Sequence, residues 1–193
     1  MDKKVRVLLV EDDHDFAFLI QKMLEKDERL ICTGHAHTKE KGIETAQKQK
    51  PDIVVMDLNL SGGTLDGIEA AKEIRLTTTA KVLLLTSFEH PGIILDASKR
   101  AFASGYIFKS QCATLADTVY QTAVSNTPQE TLIKELILAG LTPAERGILS
   151  GLISGEMDTQ SSSSTVANQK TSIFKKLGVK NTSELISVFK AWG

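Results

Sequence analysis

Three carboxylates and one lysine in this 193-residue chain occupy positions where chemistry could be done. Glu11-Asp12-Asp13 follows the apolar run Val5–Val10, Asp57 ends the run Ile53-Val54-Val55-Met56, Thr86-Ser87 follows Val82–Leu85, and Lys109-Ser110 follows Tyr106-Ile107-Phe108. A carboxylate at the end of a buried strand is costly unless something pairs with it or reacts at it. Crowded acids need a cation, and hard oxygen donors select Mg²⁺. With Asp12 and Asp57 as ligands, such an ion keeps positions for water and a phosphoryl oxygen. Asp57 can then act as the nucleophile toward a phosphoryl group. The metal and Lys109 would stabilise charge on the equatorial oxygens, and Thr86 supplies a hydroxyl for one of them.

The elements that position these groups are legible from periodicity. Five short apolar runs, the fifth being Tyr106–Phe108 and the second Leu30–Thr33, alternate with amphipathic stretches at 16–25, 39–48, 68–75, 93–103 and 115–124. Strands alternating with helices imply a parallel sheet covered on both faces, with ligands beyond the carboxyl ends of its strands. Only the second run lacks a chemical group at its end. His35 and His37 share a face there, but two histidines do not complete a metal shell, and a surface or satisfied pair is the preferred reading.

Composition bounds the answer. The chain carries 23 Lys+Arg against 24 Asp+Glu. It has no run of about 18 apolar residues and no basic-then-apolar start, so neither a membrane span nor a signal peptide is expected. Cys32 and Cys112 are too few for a disulfide framework and read as small hydrophobes in a reducing cytosol. Residues 1–126 carry 16 basic and 18 acidic groups, and residues 141–193 carry six and four. The asymmetry points toward a nucleic-acid partner at the C-terminal end.

Taken together, Leu9-Val10-Glu11-Asp12-Asp13, Met56-Asp57-Leu58, Leu85-Thr86-Ser87 and Gly105-Tyr106-Ile107-Phe108-Lys109 resemble the signature blocks of bacterial response-regulator receiver domains over about residues 1–126. The resemblance implies strand order 2-1-3-4-5 and a histidine kinase that donates its phosphoryl group to Asp57. It implies a metal site made by Glu11, Asp12, Asp57 and the carbonyl of Asn59. Thr86 becomes the switch hydroxyl, Tyr106 the switch aromatic and Lys109 the phosphate-pairing lysine. The chain departs from the pattern at Ser61, where proline is frequent, in a loop to Asp66-Gly67 that runs about two residues longer than is common, and at Ser110, where proline with a cis bond is frequent. A structural salt-bridge cluster of Asp12, Asp57 and Lys109 is the bland alternative. A haloacid-dehalogenase-type phosphatase is the enzymatic one, and Asn59 stands where its second aspartate would be needed, so no enzyme is expected.

After Val124 the pattern changes. Residues 127–140 read as a linker with a short helix at 130–139. Thr142-Pro143-Ala144-Glu145 then forms a capping box that opens a helix ended by Gly155, and Asn181 with Glu184 repeats that logic before Leu185, Val188, Phe189 and Trp192. The stretches LTPAERGILSGLISGE and TVANQKTSIFKKLGVKN resemble the first and last helices of the LuxR-type helix-turn-helix of NarL/FixJ response regulators. The resemblance implies a small all-α domain at 141–193. On its recognition helix, Val166, Lys170, Ile173 and Leu177 form the inner face, and Asn168, Thr171, Ser172 and Lys175 face a major groove. The chain departs from the pattern at Ala167 and Thr171, which are not basic. It departs again between Gly155 and Thr165, where a full scaffold helix cannot fit; Met157 is left to pack beneath and Ser162 to cap the next helix.

The expected protein is therefore a cytoplasmic two-domain regulator, phosphorylated on Asp57 and dimeric when phosphorylated, acting on DNA. The alternative keeps the receiver and makes the C-terminal helices a protein-interaction or dimerisation module with Val188, Phe189 and Trp192 as contacts.

Overall fold

The computed structural model describes residues 3–60, 66–156 and 163–190. Ser61, Met157, Ser162 and Trp192, and with them the readings placed on the two loops, lie outside the described residues. Five strands, β1 (Val5–Val10), β2 (Leu30–Ala36), β3 (Ile53–Asp57), β4 (Lys81–Thr86) and β5 (Gly105–Phe108), form one parallel sheet in the order β2-β1-β3-β4-β5. Every residue of β3 and β4 is buried, as expected of strands covered on both faces. Strand β2 runs three residues past the expected Thr33, because its backbone pairing to β1 continues to Ala36 opposite Val10.

Alternation along the strands divides the core in two. Val7, Leu9, Val55, Leu83 and Leu85 face α1 (His14–Glu25) and α5 (Leu115–Val124), which bury Ile20, Leu24 and Val119. Leu8, Val10, Val54, Met56 and Leu84 face α2 (Lys39–Gln49), α3 (Asp66–Thr77) and α4 (Pro91–Arg100). Each helix begins after a strand's carboxyl end, so strand-end residues collect at one edge.

The C-terminal region is helical: α6 (Pro128–Leu138), α7 (Pro143–Ser154), α8 (Ser163–Leu177) and α9 (Thr182–Lys190). The expected linker is a packed helix. Thr127 caps α6, whose Ile133, Ile137 and Leu138 join a third core with Leu76 and Phe102 on one side and Ile148, Leu149, Ile173, Leu185 and Phe189 on the other. The Thr142–Glu145 capping box is formed, and Gly155 closes α7 in the left-handed conformation. The Asn181 side chain caps α9 through the Glu184 amide at 2.9 Å, while the Glu184 carboxylate returns to the Lys180 amide rather than to Asn181.

Two polar ties join the region to the sheet. Lys81 at the start of β4 donates to Glu130 at 2.9 Å and to the Ser125 carbonyl at 3.0 Å. Gln129 accepts from the Tyr106 amide at 2.8 Å, satisfying an edge strand's backbone where α6 covers it. Among the described residues, no helix is long and apolar enough to cross a membrane.

Candidate functional site

Strand ends β1, β3 and β5 bring Glu11, Asp57 and Lys109 together. The Lys109 Nζ donates to Glu11 Oε2 at 2.8 Å and to Asp57 Oδ2 at 3.0 Å. Both carboxylates are almost wholly withdrawn from water, Glu11 at 1% and Asp57 at 2% exposure. Burial, with Asp57 adding repulsion, pushes the Glu11 carboxyl up to about 7 despite the Lys109 hydrogen bond. Burial also opposes the charge on Lys109, yet its bonds to Glu11 and Asp57 outweigh that and hold its pKa above the ordinary value. The lysine lies 4.5 Å from the centre of the Phe16 ring, a contact in the first turn of α1 that no motif announces.

Asp12, half-buried, completes the acid cluster: donor oxygens of Glu11, Asp12 and Asp57 all lie within 4.8 Å of one another. Three oxygen donors at that spacing fit a small hard divalent cation. The Asn59 amide donates to Asp57 Oδ1 at 3.2 Å, which holds the loop after β3 against the acid. Gly67 comes closer still. A Cβ there would stand 2.1 Å from the Asp57 carbonyl oxygen and 2.6 Å from Leu58 Cα, so only glycine lets α3 start against this strand end.

Thr86 ends β4 beside Asp57, which pairs with Leu85 in register. It is buried, and its Oγ1 accepts from the Phe88 amide at 3.0 Å. Tyr106 is half-buried, with its ring 5.7 Å from that of Phe108. Ser110 donates to Glu89 at 3.0 Å, joining the loops after β5 and β4, and the described residues contain no cis peptide bond.

The expected histidine pair is a trio. His14 lies 3.9 Å from His37, ring centre to ring centre, and His35 lies 3.9 Å from His37. The His35 Nε2 bonds the Glu11 carbonyl at 3.1 Å, burial lowers that ring's pKa, and the buried His37 Nδ1 has no hydrogen-bond partner among the described residues. Cys32 and Cys112 are free and half-buried, and burial pushes the Cys32 thiol up to about 11, far from reactivity.

On α8, Asn168, Thr171 and Lys175 are exposed, whereas Ile173 and Leu177 are buried. Thr171 spends its hydroxyl on the Ala167 carbonyl. Ser172 does not face outward as expected: it donates to Glu145 Oε1 at 2.6 Å, and Lys176 binds the same carboxylate through Oε2 at 2.7 Å. The wheel position of Ser172 borders the inner face, and a carboxylate at the start of α7 draws it in. Of the contacts expected of the alternative reading, Val188 and Phe189 are internal, at 0% and 2% exposure.

The family model for the response regulator receiver domain matches residues 7–119. The transcriptional regulatory protein DesR of Bacillus subtilis is 26% identical over 208 residues, covering 98% of each chain. A two-component response regulator of the LuxR family from Aurantimonas superposes with TM-score 0.59 at 28% identity, covering 71% of this chain and 97% of that one. The RcsB response regulator of Salmonella typhimurium, solved in work on conformational dynamism for DNA interaction, superposes with TM-score 0.57 over 98% of this chain and 99% of its own. At 24% identity that last likeness is one of fold alone.

Proposed function

The chain belongs to the response regulators of the NarL/FixJ type, and we propose that it receives a phosphoryl group on Asp57 from a histidine kinase and controls transcription through DNA binding by its C-terminal helices. The observation that carries the reading is Lys109 bridging Glu11 and Asp57 at the carboxyl edge of the sheet. The Asp57 carboxylate attacks phosphorus, a P–O bond forms as the donor's P–N bond breaks, and the imidazole departs. Lys109, already 3.0 Å from Asp57, neutralises charge on the arriving group. Glu11, Asp12, Asp57 and the Asn59 carbonyl would hold Mg²⁺, which supplies charge neutralisation at the phosphoryl oxygens when bound.

Thr86 gives the loop after β4 a reason to move. Its oxygen now accepts from the Phe88 amide, and its hydroxyl proton would turn to a phosphoryl oxygen, shifting an existing equilibrium. Tyr106 lies in the path, since its ring packs on the sheet core and on the third core while its amide is held by α6. A cytoplasmic, phosphorylation-dependent dimer would present two α8 helices, with Asn168, Thr171 and Lys175 outward, to DNA half-sites. Domain limits of 1–126 and 141–193, with α6 between them, suit this division of labour. The enzymatic alternative lacks a second aspartate at Asn59 to turn a phosphoester over.

Intact-mass measurement after incubation with acetyl phosphate and Mg²⁺ tests the chemical half. One phosphoryl group is expected on the wild-type chain and none on Asp57→Asn; equal labelling of the two would overturn the assignment.

A further inference from the structure

Helices from both halves of the chain line a cleft of about 480 Å³, between α3 and α4 on one wall and the end of α8 on the other. Five cations reach it: Lys72, Lys99, Arg100, Lys175 and Lys176. Two of them have partners, Lys176 with Glu145 at 2.7 Å and Arg100 with Asp96 at 3.4 Å. Glu69 at the rim is engaged by Lys39. Lys72, Lys99 and Lys175, each from a different helix, form no ion pair with a carboxylate among the described residues. Lys72 spans the seam, with its Nζ 5.9 Å from the centre of the buried Phe102 ring and 3.3 Å from where a Cβ on Gly178 would stand.

Five cations against two carboxylates that are already paired leave a positive excess, which focuses a positive potential on one concave surface. An anion with several charges spaced along a short chain relieves this, because it meets each ammonium with a separate oxygen. We propose that this cleft is a binding site for a small oligophosphate, free or as the phosphate chain of a nucleotide. None of its lining residues belongs to the Asp57 pocket, so the two sites can be filled independently. Because the cations come from α3, α4 and α8, the ligand binds only while α8 lies against the sheet domain, and it stabilises that arrangement. On the DNA reading above, it also competes for Lys175.

The test is calorimetric titration of tripolyphosphate into the full chain in Mg²⁺-free buffer, with Lys72→Gln, Lys99→Gln, Lys175→Gln and, as a control just past the end of α1, Lys26→Gln. Saturable one-to-one binding is expected, weakened about tenfold by each of the first three changes and unaltered by the fourth. Absence of binding, or binding that the three cleft variants leave intact, overturns the proposal. A parallel anisotropy titration with a short DNA duplex separates small-oligophosphate binding from binding of the DNA backbone. If Lys72→Gln and Lys99→Gln weaken duplex binding and not tripolyphosphate binding, the cations serve the DNA backbone and the small-anion site is refuted. A chain that binds tripolyphosphate and no duplex upholds the cleft as a small-anion site.

Discussion

Arg75 on α3 donates through Nη2 to the carbonyl oxygen of Val188 on α9 across 2.7 Å, although 113 residues separate them. The same guanidinium donates to the carbonyls of Phe102 and Ala80, each at 3.0 Å, and is completely buried. Burial lowers its pKa to about 10, so it remains charged at neutral pH. One side chain thus satisfies three buried carbonyls and fixes the last helix against the sheet domain. Arg75→Met keeps much of the volume and removes all the donors. It should cost about 2–4 kcal/mol in urea denaturation, the scale of leaving buried acceptors unpaired, and should make α9 sensitive to limited proteolysis.

Glu145 predicts the acid behaviour of the C-terminal helices. The Lys176 hydrogen bond, then those of Ser172 and the Thr142 amide, hold its carboxyl down at about 2, against an ordinary 4.5. A depressed folded-state pKa gives stability that is present above the unfolded value and lost as pH falls through the folded one. Thermal melts should therefore show the wild type losing stability between about pH 4.5 and 2. Glu145→Gln should start lower and lose less over that range; parallel pH curves would contradict this account.

Gly67→Ala places a methyl group 2.1 Å from the Asp57 carbonyl oxygen. Backbone must shift, at about 1–3 kcal/mol of overpacking. Since a displacement of ~1 Å at a reacting group costs about 100-fold in rate, phosphorylation by acetyl phosphate should slow on that scale, as followed by intact mass.

Gln129→Ala leaves the Tyr106 amide without its acceptor. The expected result is faster hydrogen exchange at Tyr106 and a loss of about 1 kcal/mol. Unchanged exchange there would mean that α6 does not guard this edge.

The sheet and its acid pocket were legible because each depends on local pattern. Apolar runs with a single group at their ends announce strands of a parallel sheet, and the order of Glu11, Asp57, Thr86 and Lys109 along the chain follows from that. What escaped were relations made by packing. Nothing near Arg75 marks it as a buried donor to a helix more than a hundred residues away. The arginine reads as an ordinary helix-surface cation until α9 covers it. The linker's burial was hidden in the same way, although Ile133 and Ile137 at helical spacing carried a signal for it. Ser172 misled because a helical wheel gives a face and not a neighbour, and the neighbour is Glu145. His14 joins His37 only through the return of β2 beside the start of α1.

On the function proposed above, phosphorylation of Asp57 governs DNA binding. The direct measurement is fluorescence anisotropy of the full chain on random-sequence duplex pools at low and physiological salt, with and without acetyl phosphate and Mg²⁺, alongside Asp57→Asn. Binding is expected to fall steeply with salt, as phosphate contacts require, to tighten on phosphorylation in the wild type and not to change with the phosphodonor in the variant. Absence of duplex binding by a chain whose Asp57 is demonstrably phosphorylated would contradict it.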